Sequence, residues 1–122
     1  GTIGDDFSFK AGDYVPRIDA LLEDVSIKHW SYITACNPGS ERLSDGVNAQ
    51  RMRVLRNTLT PYGLEILDAA GTCEDEAWPP EASFLVLGMP WLLGCQIAYK
   101  FGQNAIVAGR VGEPCRIIST GL

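Results

Sequence analysis

The residues best equipped to recognise something in this chain are amides, one guanidinium and one carboxylate. They are Asn37, Asn48, Arg51, Glu81, Gln103 and Asn104, with the Trp78 indole alongside. Amides donate and accept, Arg presents a fork of donors and a carboxylate only accepts, so the set suits hydrogen-bond recognition of a small ligand or a peptide end. It is poorly equipped for catalysis, since no nucleophile is paired with the single histidine, His29, and no metal set or carboxylate pair stands out. Glu81 is the weak catalytic candidate, a general base if Trp78 and Pro80 keep water from it, with Arg51 and Asn104 steadying an anion. Each residue also has a scaffolding reading. Asn37-Pro38 can be a turn, Arg51 and Glu81 an ion pair, and Gln103-Asn104 a helix end. Residue types alone leave both readings open.

Other groups offer less. Cys36, Cys73, Cys95 and Cys115 are widely separated without a Cys-x-x-Cys pair, which is not a zinc pattern. Reduced thiols in a cytoplasmic protein are the expectation. Glu74-Asp75-Glu76 lacks the glycine and spacing of a calcium loop and reads as a solvated acidic turn. Gly109 and Gly112 precede no helix and so form no phosphate loop. No cofactor is expected. A net charge of -5 opposes nucleic acid and anionic membranes. Arg42, Arg51, Arg53 and Arg56 nevertheless fall in one short segment, which leaves a small anionic ligand open, although Arg53 and Arg56 read as the wet face of a helix. No apolar stretch reaches the roughly 20 residues that span a bilayer. The N-terminus lacks the basic-then-apolar pattern of a signal peptide.

These residues need elements to position them. At 122 residues, 46% hydrophobic and 20% charged, the chain fits one soluble domain with a sizeable core. The organising stretch is Trp78 to Gly88. Two prolines open it, and Phe84, Leu85, Val86 and Leu87 form an apolar run too short for a helix, the mark of a strand covered on both faces.

Around that strand, residues 1–13 carry a short edge strand at Phe7 and Phe9 at most, and a short helix is expected from Ile18 to Glu23. Lys28 to Asn37 reads as a central strand, rich in aromatic and β-branched residues. Ser44 suits an N-cap for a helix from Asp45 to Thr60, with a buried stripe of Val47, Val54, Leu55 and Leu59 and a stop at Pro61 and Gly63. Asn48 and Arg51 lie beside that stripe and point toward the sheet edge. A strand at Leu64 to Ala70, a second helix from Trp91 to Phe101 ended by Gly102, and strands at 105–109 and 115–120 complete the chain.

The resulting order predicts an α+β fold with a mixed or antiparallel sheet of four to five strands in a single layer. Two long helices cover one face, in the ferredoxin-like, split βαβ pattern, with an extra C-terminal strand. In such a sheet the end of one central strand meets the start of its neighbours. Asn37, Glu81 and Gln103-Asn104 should therefore converge, with Trp78 as floor.

Four stretches in this order resemble a known family: Tyr32-Ile-Thr-Ala-Cys-Asn-Pro-Gly-Ser40; Leu43-Ser-Asp with Asn48 and Arg51; Trp78-Pro-Pro-Glu-Ala-Ser-Phe-Leu-Val-Leu-Gly88; and Phe101-Gly-Gln-Asn-Ala-Ile-Val107. Together they resemble DUF3293, a bacterial family of small uncharacterised proteins, over roughly residues 14–111. One departure is Cys36, where the family pattern has an aromatic residue, often Trp, which thins the wall beside Asn37. The resemblance implies a shared fold and a shared polar pocket, and it brings no substrate. The reading is thus a non-catalytic binding or interaction module. A small enzyme built on Glu81 is the first alternative, and a homodimer pairing through the edge strand Arg116 to Thr120 is the second.

Overall fold

The computed structural model describes residues 2–3, 7–8, 18–19, 28–71 and 81–121. Trp78, Cys73 and the acidic turn at 74–76 lie outside the described residues, as does most of the helix expected from Ile18, of which Ile18 and Asp19 are seen to be helical. The elements are β1 (Thr2–Ile3), β2 (Phe7–Ser8), β3 (His29–Ile33), α1 (Asp45–Leu59), β4 (Glu65–Gly71), β5 (Glu81–Leu87), α2 (Trp91–Lys100), β6 (Ala105–Arg110) and β7 (Arg116–Ser119).

The strands form one sheet in the order β2-β1-β4-β5-β3-β6-β7, antiparallel at every pairing. The unit β3-α1-β4 encloses β5, and the unit β5-α2-β6 encloses β3, so the two crossovers interleave. This is an α+β fold, with β7 at one edge as expected. Two two-residue strands, β1 and β2, extend the other edge past β4, so the sheet is wider than the four or five strands expected.

Alternation along the central strands divides the core into two. Ile33, Phe84, Val86, Ile106 and Ala108 face Met52, Leu55 and Leu59 of α1 and Ile97 and Ala98 of α2. On the other face Trp30, Tyr32, Leu85 and Leu87 pack with Ile18 and Cys115. Phe84 to Leu87 is therefore buried on both sides, which is why its sequence does not alternate. Each such side chain contributes about 2 kcal/mol by leaving water.

The ends of α1 are set locally. Ser44 Oγ accepts from Val47 N at 3.2 Å, and Pro61 and Gly63 close the helix through a short 3₁₀ turn. Its buried stripe differs from the expected one. Met52, Leu55 and Leu59 are buried, whereas Val47 and Val54 are 49% and 45% exposed. At about 100° per residue the two valines share a line roughly a third of a turn from the Asn48–Met52–Leu55–Leu59 line. Hydrophobicity favoured the valines, but the side chains that face the sheet include a polar one and a methionine.

On the second face the sheet closes onto the Trp30 ring through Gly109. A Cβ there would lie 2.4 Å from the indole Cζ2, and the indole is only 1% exposed and has nowhere to go. Gly109→Ala should lower unfolding free energy by about 1–3 kcal/mol in urea titration, the usual cost of overpacking. Gly46→Ala, which meets nothing within 4 Å in the first turn of α1, should raise it by roughly 0.5–1 kcal/mol. Equal effects of the two changes would contradict the close-packing account of Gly109.

Candidate functional site

Beyond Ile33 the β3 chain leaves the regular ladder while still buried, so its peptide groups need other partners. Side chains supply them. Thr34 Oγ1 donates to Ala82 O at 2.6 Å and accepts from Cys36 N at 3.0 Å. Ala35 N points at Met52 Sδ, 3.3 Å away, and Ala35 O accepts from Arg51 Nε at 2.6 Å. Cys36 O accepts from Gln103 Nε2 at 2.9 Å, and Asn37 N donates to Asn48 Oδ1 at 3.0 Å. Five successive backbone groups are thus held by side chains, most of them from α1 and from the turn before β6.

Asn37 is the hub. It is the one described non-glycine residue with positive φ, at φ 48 and ψ 58, a conformation that Asn tolerates better than most residues. Its Oδ1 accepts from Leu43 N at 2.8 Å and from Asn48 Nδ2 at 2.9 Å, and its Nδ2 donates to Glu81 Oε2 at 3.3 Å. Asn37 and Asn48 exchange two hydrogen bonds, which fixes both amide planes. The turn that follows is clamped onto the end of α2. Gly39 N donates to Gly102 O at 2.8 Å, and a Cβ on Gly102 (φ 74) would strike Pro38 Cβ at 2.8 Å. Gly102 N bonds Tyr99 O and Gln103 N bonds Ala98 O, both at 3.0 Å, the paired bonds of a Schellman stop. Arg51 Nη2 donates to Phe101 O, placing a cation at the negative end of that helix.

A cavity of about 550 Å³ opens beside this hub, between α1 and the adjoining ends of β4 and β5. Asn37, Asn48, Asp45 and Glu81 form one polar wall, Arg53, Arg56 and Asp68 another, and Met52, Ala49 and Phe84 contribute apolar surface. Arg56 Nη2 meets Asp68 Oδ1 at 2.8 Å while its guanidinium lies 4.6 Å from the Phe84 ring centre. Cys36 also reaches the wall. Burial pushes its thiol pKa up; the Thr34 hydrogen bond pulls the other way and the Glu81 charge pushes further up. The thiol is therefore held protonated, unlike an activated nucleophile. Behind it, burial likewise raises the Tyr32 hydroxyl, with the Ser83 hydroxyl beside it pulling the other way. Among the described residues no group of three or more His, Cys, Asp or Glu side chains is placed to hold a metal ion.

The structure brings Asn37, Asn48, Arg51, Glu81 and Gln103 to one end of the sheet. Asn37, Asn48 and Glu81 line the cavity, whereas Arg51 and Gln103 brace the β3 end from behind. Asn104 is exposed at the start of β6, and its carbonyl accepts from Thr120 N at 2.9 Å. Sequence reasoning passes over Arg53 and Arg56 as wet-face residues. The missed signal is that Ala49, Met52, Arg53 and Arg56 stand at i, i+3, i+4 and i+7, one continuous helical stripe.

The hub makes two predictions. Asn37→Ala removes the acceptor for Leu43 N and Asn48 Nδ2 and keeps a Cβ at positive φ, so stability should fall by about 3 kcal/mol. Asn37→Gly relieves the backbone strain and should recover roughly 1 kcal/mol of that. A glycine variant no more stable than the alanine one would contradict the strain account. Separately, the raised folded-state pKa of Cys36, Cys95 and Tyr32 means that the unfolded chain ionises first as pH rises. That contribution is whole below the ordinary thiol value of 9.0 and is lost as pH climbs through the raised values. Urea midpoints should hold between about pH 7 and 8.5 and fall by about pH 10.5, less steeply in Cys36→Ala.

No curated protein and no solved structure matches the chain. Residues 33–106 match the family described as "Protein of unknown function (DUF3293)", a shorter span than the resemblance suggested but one that contains the whole hub and every described residue expected at the site. That span is more than half of the 122 residues, and the chain belongs to the DUF3293 family.

Proposed function

We propose that this protein is a binding module whose cavity beside Asn37 takes a small polar ligand or a peptide end without transforming it. The observation that carries this reading is the locked geometry of the wall. The Asn37 amide is fixed by bonds to Leu43, Asn48 and Glu81, so the polar groups facing the cavity are ordered before any ligand arrives. Preorganised polar groups around an apolar patch are the usual makings of a small-molecule site, and ordering them in advance reduces the entropic cost of binding.

The wall also supports a ligand type. Glu81 and Asp45 accept hydrogen bonds from an amine or amide, Arg53 and Arg56 can receive an acceptor, and Phe84 and Met52 offer apolar contact. A small molecule with both donor and acceptor ends, or a peptide terminus, fits that lining. Catalysis has less support. Arg51, the group that would steady an anion beside a Glu81 base, directs Nε and Nη2 to the carbonyls of Ala35 and Phe101, and the Cys36 thiol is pushed toward its protonated form.

The test is a thermal-shift screen of several hundred metabolites and short peptides on the wild type and on Ala49→Trp. Ala49 is exposed on the cavity wall and makes no part of the hub, so a bulky ring there should obstruct the cavity and leave the fold intact. A ligand at 100 times its Kd should stabilise the wild type by about 2.7 kcal/mol, with the shift reduced to near nothing in Ala49→Trp. Hits of equal size in both proteins would overturn the proposal, as would a screen without hits.

A further inference from the structure

A second cavity, of about 400 Å³, lies at the other end of β3. The face of the sheet that carries the helices extends past the start of α2 there, and three basic side chains occupy it. His29 and Arg110 are directly opposite on β3 and β6, and Arg116 on β7 is opposite Ala108 of β6. His29, Ala108, Arg110 and Arg116 all line the cavity, which agrees with the two-residue alternation of antiparallel strands. Pro90 and Trp91 open α2 on the facing wall, where the first turn has no side-chain cap and adds its own positive end.

Arg110 and Arg116 are diagonal neighbours on one sheet face, with His29 directly opposite Arg110, so the donors of three side chains are gathered on one patch. Among the described residues lining the cavity the negative group is Glu113, 3.6 Å from Arg110, and both partners are more than 60% exposed. An exposed pair of that length is weak. Asp19, another described carboxylate, accepts from Gly112 N at 3.2 Å and is not among the described lining residues. Two arginines and a histidine thus face one glutamate, on a chain whose net charge is -5. The flat walls are the Trp91 ring, 48% exposed, and Pro114.

We propose that this cavity is a binding site for a small anion carrying a flat apolar body, its phosphate or carboxylate head among Arg110, Arg116 and His29 and its ring against Trp91. Arginine suits such a head because its planar fork can meet two oxygens at once. The aromatic wall explains why the ligand should be more than a bare ion, since a ring laid against Trp91 removes apolar surface from water on both partners. The site is independent of the one beside Asn37, being built at the opposite end of β3 and from β6 and β7 where the other uses β4 and β5.

The experiment is an amide-resolved NMR titration of the wild-type chain with phenyl phosphate, with benzoate and with inorganic phosphate, at matched ionic strength. We expect saturable shifts at Trp91, Gly109, Arg110 and Arg116 with phenyl phosphate, benzoate or both, the tighter of the two identifying the head group. Inorganic phosphate should bind more weakly than phenyl phosphate. Arg116→Gln should weaken binding of the tighter compound about tenfold, the loss expected for one charged hydrogen bond. Lys100→Gln, which removes the same charge from an exposed position at the far end of α2, should leave it unchanged. The proposal is overturned if neither aromatic anion saturates, if the shifts map elsewhere, or if Lys100→Gln weakens binding as much as Arg116→Gln does.

Discussion

A buried peptide group without a partner costs more than almost any single contact can return, and the end of β3 faces that constraint over several consecutive residues. From Thr34 to Asn37 the chain is inside the protein but off the ladder. Every polar side chain that satisfies it must therefore arrive at a fixed place. Arg51 and Asn48 come from α1 and Gln103 from the turn before β6, while Glu81, at the start of β5, holds the Asn37 side chain. Residues that look like scattered motifs along the sequence are joined because they serve one short stretch of backbone.

The sheet makes this convergence possible. β3 is antiparallel to both of its neighbours, so its end lies beside the beginnings of β5 and β6. α1 must then start close to that same end, because its first turns carry Asn48 and Arg51 to the carbonyls and amides of residues 35–37. The turn at Pro38 and Gly39 shortens the path by bending at once and docking on the Gly102 carbonyl. Connection, cap and hub are consequently one unit. A change in any of them is felt at Asn37, whose strained backbone only the surrounding bonds keep in place.

Much of this is legible in the sequence where the signal is local. Ser44 as cap, Pro61 and Gly63 as stop, Gly102 after α2 and the unbroken apolar run of β5 all act through neighbouring backbone, and the structure has them where their chemistry asks. The α1 stripe is misread because valine outranks methionine and asparagine in hydrophobicity, whereas the face a helix turns toward a sheet is fixed by angle. Side-chain partners are harder still. The sequence places Arg51 near Asn37, yet a guanidinium is as well suited to backbone carbonyls as to a ligand anion, and only three-dimensional distance tells the two uses apart. Arg53 and Arg56, which read as a wet face, line a cavity whose helical stripe, Ala49, Met52, Arg53 and Arg56, is too polar to stand out as a buried face.

The two ends of the central strands meet opposite physical demands. At the Asn37 end, hydrogen-bond capacity is largely satisfied within the protein, so the wall is stiff and the groups facing the cavity are few and fixed. A ligand there meets a wall that is already ordered, and binding takes little further freedom from the protein. At the His29 end, Arg110 and Arg116 are exposed and Arg110 is only weakly paired with Glu113, so an anion there would gain attraction from both arginines. The first arrangement favours selectivity through shape and bond direction. The second favours attraction of charge, which reaches further into solvent and weakens with salt. A sheet whose strands all alternate direction can hold both kinds of surface, because the hub that stiffens one end imposes no partner on the other.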